Sequence, residues 1–212
     1  MPRRLGTAFI AALALVASTA TDAGLLPPAP LPPPDEVYPA PPDWRGVRVL
    51  HVGDSNVAAG LVAGLRRAFS DAGALYRPHG WVGSRSRSWV VSGLLTKLIR
   101  EVAPQVVVVT LETNALRNPR VDANAAWVRR FVERIGPRRC YWLGPPPLVE
   151  DRYAYGPVLA EACAPCRYFD TSRLPYPKRE DGKFHLTRQQ GLDWAERAWA
   201  WMNGPADGTD AL

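Results

Sequence analysis

The first residues that could do chemistry form the stretch Gly53-Asp54-Ser55-Asn56, which follows an apolar run over residues 47–52. A glycine permits a sharp turn, and the serine after it begins an amphipathic segment. A hydroxyl there is accessible, and nearby amides at the positive end of a helix could hold the negative oxygen of a tetrahedral intermediate. The pattern predicts a nucleophile at Ser55, with helix capping by Asp54 or Ser55 as the alternative.

A serine nucleophile needs a general base, and the chain contains three histidines, His51, His79 and His185. His51 falls inside the predicted first strand, which indicates a hydrogen-bonded core histidine. His79 follows the second predicted strand, beside glycines. His185 precedes the last predicted helix, and Asp181 stands in the polar loop before it, where a carboxylate would orient the imidazole. We therefore expect His185 to be the base and Asp181 its partner.

Candidate donors to an oxyanion follow the second and third predicted strands. Gly80 and Gly83 come after the second strand, where a glycine lets the backbone approach a ligand and offer its N–H. Asn114 follows the third strand, and a side-chain amide in that position can donate to an oxyanion. Turn or cap roles are the alternative for these residues.

The elements that must position these residues alternate between strand and helix. Predicted strands are 47–52, 74–78, 105–111, 140–143 and 167–170; predicted helices are 55–72, 88–102, 122–135, 153–162 and a last one opened by a capping box at Thr187 and Gln190. Four successive valines, 106–109, indicate a doubly covered strand at the sheet centre. The fold class is α/β, a three-layer α/β/α sandwich with a five-stranded parallel sheet. Because ligands bind at the carboxyl ends of such strands, the candidates should share one edge.

In this order, Gly53-Asp54-Ser55, then Gly83, Asn114, and Asp181 with His185 resemble the motifs of the SGNH hydrolases, also called GDSL-type esterases and lipases. The resemblance spans residues 47–203 and implies the flavodoxin-like fold of that family. It implies that Ser55 is the nucleophile, His185 the base and Asp181 its acid. It also implies an oxyanion hole formed by the Ser55 amide, the Gly83 amide and the Asn114 side chain. No metal or organic cofactor is implied, because side chains and amides complete the mechanism.

The chain departs from the pattern of this family at two places. Three residues separate Asp181 from His185, where the family usually has two. The family's glycine and aspartate around the asparagine are replaced by Glu112 and Ala115. The Gly-x-Ser-x-Gly motif of the other large serine hydrolase fold is absent, because Val57 stands at its last glycine position.

Outside the predicted domain, residues 44–204, the composition is that of an exported protein. Residues 1–20 combine two arginines, an apolar run and small residues, which predicts a secretory signal. The run is too short to span a bilayer comfortably, so we expect no stable membrane insertion after cleavage, with an uncleaved anchor as the alternative. More than half of residues 26–42 are proline, which predicts an extended linker over 21–43. Residues 205–212 are a predicted disordered tail, and the location is expected to be secreted or periplasmic.

The charge of the chain bears on the partners it can bind, and its cysteines bear on its redox environment. The formal net charge is +6, but nowhere do five basic residues run together, which indicates a solvated basic surface and no nucleic-acid partner.

Cys140, Cys163 and Cys166 predict one disulfide and one free thiol in an oxidising compartment, with all three pairings open. A redox pair formed by Cys163 and Cys166 is the alternative, and clustered zinc ligands are lacking.

The sequence thus predicts a secreted serine esterase that hydrolyses small acyl esters, with O-acetyl groups on carbohydrate as the expected substrate. Acyl transfer to an envelope polysaccharide through the same acyl-serine is one alternative. A catalytically degenerate member that binds glycans is the other, motivated by Glu112, Ala115 and the spacing of the acid from His185. Neither the oligomeric state nor the acyl specificity follows from the sequence.

Overall fold

The computed structural model describes residues 43–57, 59–176 and 185–204. The predicted signal segment, nearly all of the predicted linker and the predicted tail lie outside these described residues. Among the described residues, no helix is both long and apolar enough to cross a membrane. The predictions for the two ends of the chain therefore stay predictions.

A five-stranded, wholly parallel sheet forms the middle layer. Its strands are β1 (Arg48–Gly53), β2 (Leu75–Gly80), β3 (Val106–Thr110), β4 (Arg139–Leu143) and β5 (Arg167–Phe169). They lie in the order β2-β1-β3-β4-β5, so β3 is central, and every residue of β3 is buried. The prediction made from the four valines is confirmed, because a central strand of a parallel sheet is covered on both faces.

Helices cover both faces of the sheet, which confirms the three-layer sandwich. They are α1 (Ala59–Asp71), α2 (Ser86–Val91), α3 (Leu94–Val102), α4 (Val121–Ile135), α5 (Tyr155–Ala162) and α6 (Arg188–Asn203). Helices α1 and α6 pack on one face with Val106 and Val108, whereas α2 to α5 pack on the other with Val107 and Val109. The valines of β3 serve both cores because successive side chains of a strand point to opposite faces.

Two helices differ from the prediction. The predicted helix over 88–102 is divided into α2 and α3 at Gly93, whose φ of +71° lies in the left-handed region that favours glycine. The predicted first helix, over 55–72, begins only at Ala59, because the Val57 N–H donates to the Asp54 carbonyl and closes a turn instead. This turn leaves Ser55 outside the helix, where its hydroxyl is not confined to a helical surface.

The cysteines form one disulfide and one free thiol, as expected. Cys140 and Cys166 are bonded, which joins β4 to the residue just before its neighbour β5. Cys163 is free and buried, and burial raises the pKa of its thiol to about 12. A redox pair of Cys163 with Cys166 is contradicted, because the Cys166 sulfur is already bonded and the Cys163 thiol is shielded.

His51 is a core histidine, as predicted. Its Nδ1 lies 2.6 Å from the Tyr76 hydroxyl, and its Nε2 lies 2.8 Å from the Thr110 hydroxyl. Burial lowers the pKa of His51 to about 3, because the charged ring would lose its hydration. Both ring nitrogens are engaged within the sheet layer, so His51 is not the base for Ser55.

Replacing Cys140 and Cys166 together with alanine should lower the free energy of unfolding by about 3 to 4 kcal/mol, because the bridge constrains a loop of moderate length in the unfolded chain. Urea unfolding under oxidising conditions measures this loss. Cys163→Ala is the control and should leave the bridge intact in a peptide map. A map that shows Cys163 bonded, or a bridge-deleted variant as stable as the parent, would contradict the pairing.

Candidate active site

The carboxyl ends of β1, β2 and β3 meet at one edge and are tied by backbone hydrogen bonds. The Asp54 N–H donates to the Thr110 carbonyl over 3.0 Å, and the Trp81 N–H donates to the Gly53 carbonyl over 2.8 Å. Glycine is required at position 53, because a Cβ there would collide with the Thr110 carbonyl oxygen. The turn that carries Ser55 is therefore held against the segments that follow β2 and β3.

Ser55 and His185 are in direct contact at this edge. The Ser55 Oγ lies 2.7 Å from the His185 Nε2, a hydrogen-bonding distance. Ser55 is half-buried in the turn after β1, and His185 is exposed just before α6. An imidazole nitrogen at this distance can take the hydroxyl proton as the oxygen attacks a carbonyl carbon. Asp181 lies outside the described residues, so its role as the acid stays a prediction.

The two other predicted oxyanion residues lie in the segments after β2 and β3. Gly83 occupies an exposed loop with a φ of +73°, which is left-handed and favours glycine. Asn114 lies in the 3₁₀ turn Thr113–Ala115, and its Nδ2 donates to the Ser84 carbonyl over 3.1 Å. This bond joins Asn114 to the loop that holds Gly83. A side-chain amide carries two N–H groups, so Asn114 retains a second donor for a ligand.

His79 and Gly80, also considered from the sequence, have packing roles. The His79 ring meets the Trp89 ring edge to face, with centroids 5.7 Å apart. A Cβ at Gly80 would lie only 2.8 Å from the Val57 carbonyl oxygen, so the glycine lets β2 approach the serine turn. We assign neither residue to the reaction.

The buried carboxylate of Asp54 holds the serine turn in shape. Its Oδ1 accepts from the Asn56 backbone N–H and from the Asn56 Nδ2, both at 2.9 Å. The same Nδ2 donates to the Thr113 hydroxyl over 2.8 Å, which connects the turn to the segment of Asn114. Burial raises the pKa of Asp54 to about 6, and the hydrogen bonds from Asn56 oppose that rise. Ser55 lies between the two bonded residues, so its backbone is fixed.

Solved structures match the chain, whereas no protein-family model and no curated protein does. LAE5, an alpha/beta hydrolase enzyme from the metagenome of Lake Arreo, Spain, is 17% identical with a TM-score of 0.60, over 78% of this chain and 99% of its own. The family 3 carbohydrate esterase of Clostridium thermocellum is 18% identical with a TM-score of 0.58, over 73% of this chain and 94% of its own. TesA is 23% identical with a TM-score of 0.57, over 74% of this chain and 98% of its own. The chain has the SGNH-hydrolase fold.

Within this SGNH fold, Glu112 stands where the family pattern has a glycine. Its φ of +81° is left-handed, which explains why a glycine suits the position. One carboxylate oxygen of the buried Glu112 accepts from the N–H and the hydroxyl of Ser86, both at 2.7 Å, and the other accepts from the Tyr155 hydroxyl at 3.1 Å. Burial raises the pKa of Glu112, and these bonds oppose that rise. Glu112 anchors the start of α2 beside the Asn114 turn, a role that the sequence did not predict.

The SGNH fold brings His185 to Ser55 through a close crossing of α1 and α6. A Cβ at Gly60 would collide with the Arg188 carbonyl oxygen, and a Cβ at Gly191 would lie 2.8 Å from the Leu61 amide nitrogen. Side chains larger than hydrogen would therefore force the two helices apart. The start of α6, and with it His185, lies against the start of α1 for this reason.

The predicted capping box, whose N-cap Thr187 stands two residues after His185, fixes where α6 begins. The Thr187 Oγ1 accepts from the Gln190 N–H over 3.2 Å, and the Gln190 Oε1 accepts from the Thr187 N–H over 2.9 Å. The prediction is confirmed, because both reciprocal bonds of a capping box are present.

An apolar cavity of about 320 Å³ opens beside Ser55 and His185. Its apolar walls come from α1, from the start of α6 and from the loop after β2, in the side chains of Leu61, Leu186, Trp194 and Val82. Walls of this kind favour an apolar part of a ligand. The sequence did not predict the cavity, because its walls come from segments that are distant in the chain.

Asn56→Ala should destabilise the folded protein more at about pH 7.5 than at about pH 5. Because the folded pKa of Asp54, about 6, exceeds the unfolded value of about 3.9, the stability that Asp54 contributes is present below about pH 4 and is lost as the pH rises through 6. The Asn56 amide reduces this loss by stabilising the ionised form. Its removal should cost about 1 to 3 kcal/mol above pH 6 and less below it, measured by urea unfolding.

Asn203→Ala is the matched control for this comparison. The Asn203 amide bonds the Trp44 Nε1 and the Trp199 carbonyl, neither of which titrates in this range. Its cost should be the same at both pH values. An Asn56→Ala cost that is equally independent of pH would contradict the account of Asp54.

Proposed function

We propose that the protein is a serine esterase that acts through an acyl-serine at Ser55. The observation that carries the proposal is the 2.7 Å distance from the Ser55 Oγ to the His185 Nε2 at the carboxyl edge of a parallel sheet. A hydroxyl in contact with an imidazole is the arrangement that acyl transfer requires. Solved structures of the same fold include acetyl xylan esterases and a carbohydrate esterase, which supports ester chemistry.

In the proposed mechanism, His185 takes the Ser55 proton as the Oγ attacks the carbonyl carbon. The oxyanion is proposed to receive hydrogen bonds from the Ser55 amide, the Gly83 amide and the Asn114 side chain, donors that would stabilise charge that develops only in the transition state. His185 then gives the proton to the departing alcohol oxygen. In the second half, His185 activates a water that releases the acid from Ser55. Asp181 orients the His185 ring and stabilises its protonated form.

The proposed substrates are small acyl esters, with O-acetyl groups on carbohydrate as the leading class. The neighbours named as acetyl xylan esterases support an acetyl group. The predicted secretory signal supports a target in the envelope or outside the cell, and hence a secreted or periplasmic enzyme. The 320 Å³ cavity is about twice the size of an engineered cavity of ~150 Å³ that holds benzene, so acyl chains longer than acetyl are also proposed to fit.

Ser55→Ala and His185→Ala should each lower kcat/KM for a short-chain ester by about 10⁴-fold or more, because each removes a member of a unit that acts together. Ser55→Ala should also abolish labelling by a fluorophosphonate. Circular dichroism should show that both variants remain folded, since Ser55 and His185 lie outside the cores.

The matched control is Ser70→Ala, which removes an exposed hydroxyl on α1. Its activity and labelling should equal those of the parent. Hydrolysis by the Ser55→Ala variant at the parent rate would reject the nucleophile. Product analysis with an added sugar acceptor separates hydrolysis from acyl transfer, because only transfer yields a newly acylated sugar.

Leu186→Trp should reduce the turnover of a hexanoyl ester more than that of an acetyl ester, because the indole fills the cavity that we assign to the longer chain. The ratio of the two kcat/KM values should fall by about tenfold, which corresponds to the loss of two buried CH₂ groups. Leu186→Ala should shift the same ratio in the opposite direction or leave it unchanged. An unchanged ratio in Leu186→Trp would contradict this use of the cavity.

A further inference from the structure

A second, smaller cavity lies beside the segments that carry Gly83 and Asn114. It measures about 90 Å³ and is lined by polar and aromatic side chains that include Arg85, Arg87, Arg120, Asn118, Glu112 and Trp127. We call these six residues the basic pocket. Its volume equals that of about three water molecules at ~30 Å³ each, which suits a single carboxylate, sulfate or phosphate group.

The basic pocket belongs to the same segments as the proposed oxyanion donors. Arg85 stands two residues after Gly83, and Glu112 stands two residues before Asn114. Two residues of chain span at most about 7 Å, so the pocket adjoins both donors. A group bound there would therefore be near enough to the proposed oxyanion hole for one substrate to carry both this group and the ester.

Among the described residues, the basic pocket carries more positive than negative charge. None of the ion pairs of the described residues includes Arg85, Arg87 or Arg120. The one acid that lines the described pocket is Glu112, whose carboxylate already accepts three hydrogen bonds from Ser86 and Tyr155. Three guanidinium groups thus face one occupied carboxylate, which leaves a net positive site for an anion.

The side chain of Arg87 and the backbone at Arg120 are held in position before any ligand arrives. The Arg87 guanidinium lies 5.8 Å from the centre of the Trp127 ring, and Arg130 lies 4.7 Å from that ring. The backbone N–H of Arg120 donates to the Asn118 Oδ1 over 3.0 Å, which fixes the turn into α4. A guanidinium group that is held as that of Arg87 is loses less conformational freedom on binding than a free surface arginine does.

We propose that the basic pocket binds an anionic group on the sugar that carries the acyl ester, so that the preferred substrate is an acylated acidic glycan. This proposal rests on the esterase function proposed above. Guanidinium groups bind carboxylate, sulfate and phosphate by the same charge-assisted hydrogen bonds, and the pocket size admits each of them. A solvated basic surface, the expectation from the sequence, does not account for three arginines that line one cavity beside the proposed active site and form no ion pair among the described residues.

The test compares acetyl esters that share one sugar and one acetylated hydroxyl. The four probes are an acetylated methyl glucoside, its uronate, its 6-sulfate and its 6-phosphate. The parent enzyme should have a kcat/KM for at least one charged ester about tenfold or more above that of the neutral ester, the effect of one hydrogen bond to a charged group. The charged ester that is turned over best identifies the anion.

Two matched double variants separate the effect of the basic pocket from the effect of the protein's overall positive charge. In Arg87→Gln/Arg120→Gln, the ratio of charged to neutral kcat/KM should fall close to one. Arg129→Gln/Arg134→Gln removes the same charge from exposed residues of α4 outside the pocket and should keep the parent ratio. Equal turnover of charged and neutral esters by the parent, or an equal fall of the ratio in both double variants, would overturn the proposal.

A binding experiment distinguishes failure of this proposal from failure of the esterase function. Calorimetry of the Ser55→Ala protein with the free methyl glucuronide, 6-sulfate and 6-phosphate requires no hydrolysis. Binding that the Arg87→Gln/Arg120→Gln changes abolish would support the anion site even if no ester is hydrolysed. Absence of binding by all three probes, alongside active hydrolysis of the neutral ester by the parent, would overturn the anion site alone.

Discussion

Helices α1 and α6 cross at Gly60 and Gly191, where neither helix has room for a side chain. Ser55 lies just before α1 and His185 just before α6, and 130 positions of sequence separate them. A hydrogen bond between them requires a heavy-atom distance of about 2.6 to 3.2 Å, so a shift of one ångström at the crossing would break it. The proposed chemistry therefore depends on a backbone contact between two glycines that take no part in it.

Two buried carboxylates hold the serine turn and the start of α2 in position. Asp54 binds the serine turn through Asn56, and Glu112 binds the start of α2 through Ser86. Burying a carboxylate is costly unless it is hydrogen-bonded, so each acid restricts its neighbours to the conformation that supplies the donors. The loops of the proposed oxyanion hole are thus ordered by hydrogen bonds to these two buried carboxylates.

The sequence predicted those features that repeat or that need one residue type. The four valines of β3 predicted a central strand because burial on both faces permits no polar residue there. Ser55 and His185 became candidates because a short polar motif at a strand end and a scarcity of histidines left few choices, and the structure places the two in contact. The sequence missed the interruption at Gly93 and the role of Glu112, and it left the pairing of Cys140 with Cys166 open. Each of these depends on backbone dihedrals or on neighbours distant in the chain, which local pattern does not determine.

The central claim is that an acyl group becomes covalently attached to Ser55 during turnover. Rapid acid quenching of the parent enzyme with an acetyl ester, followed by peptide mass spectrometry, measures this directly. If Ser55 is the nucleophile, the peptide that contains it carries an acetyl group, and only while ester remains. Steady-state hydrolysis by the parent enzyme with no acetylated peptide after quenching, or with the acetyl group on another residue, would contradict it.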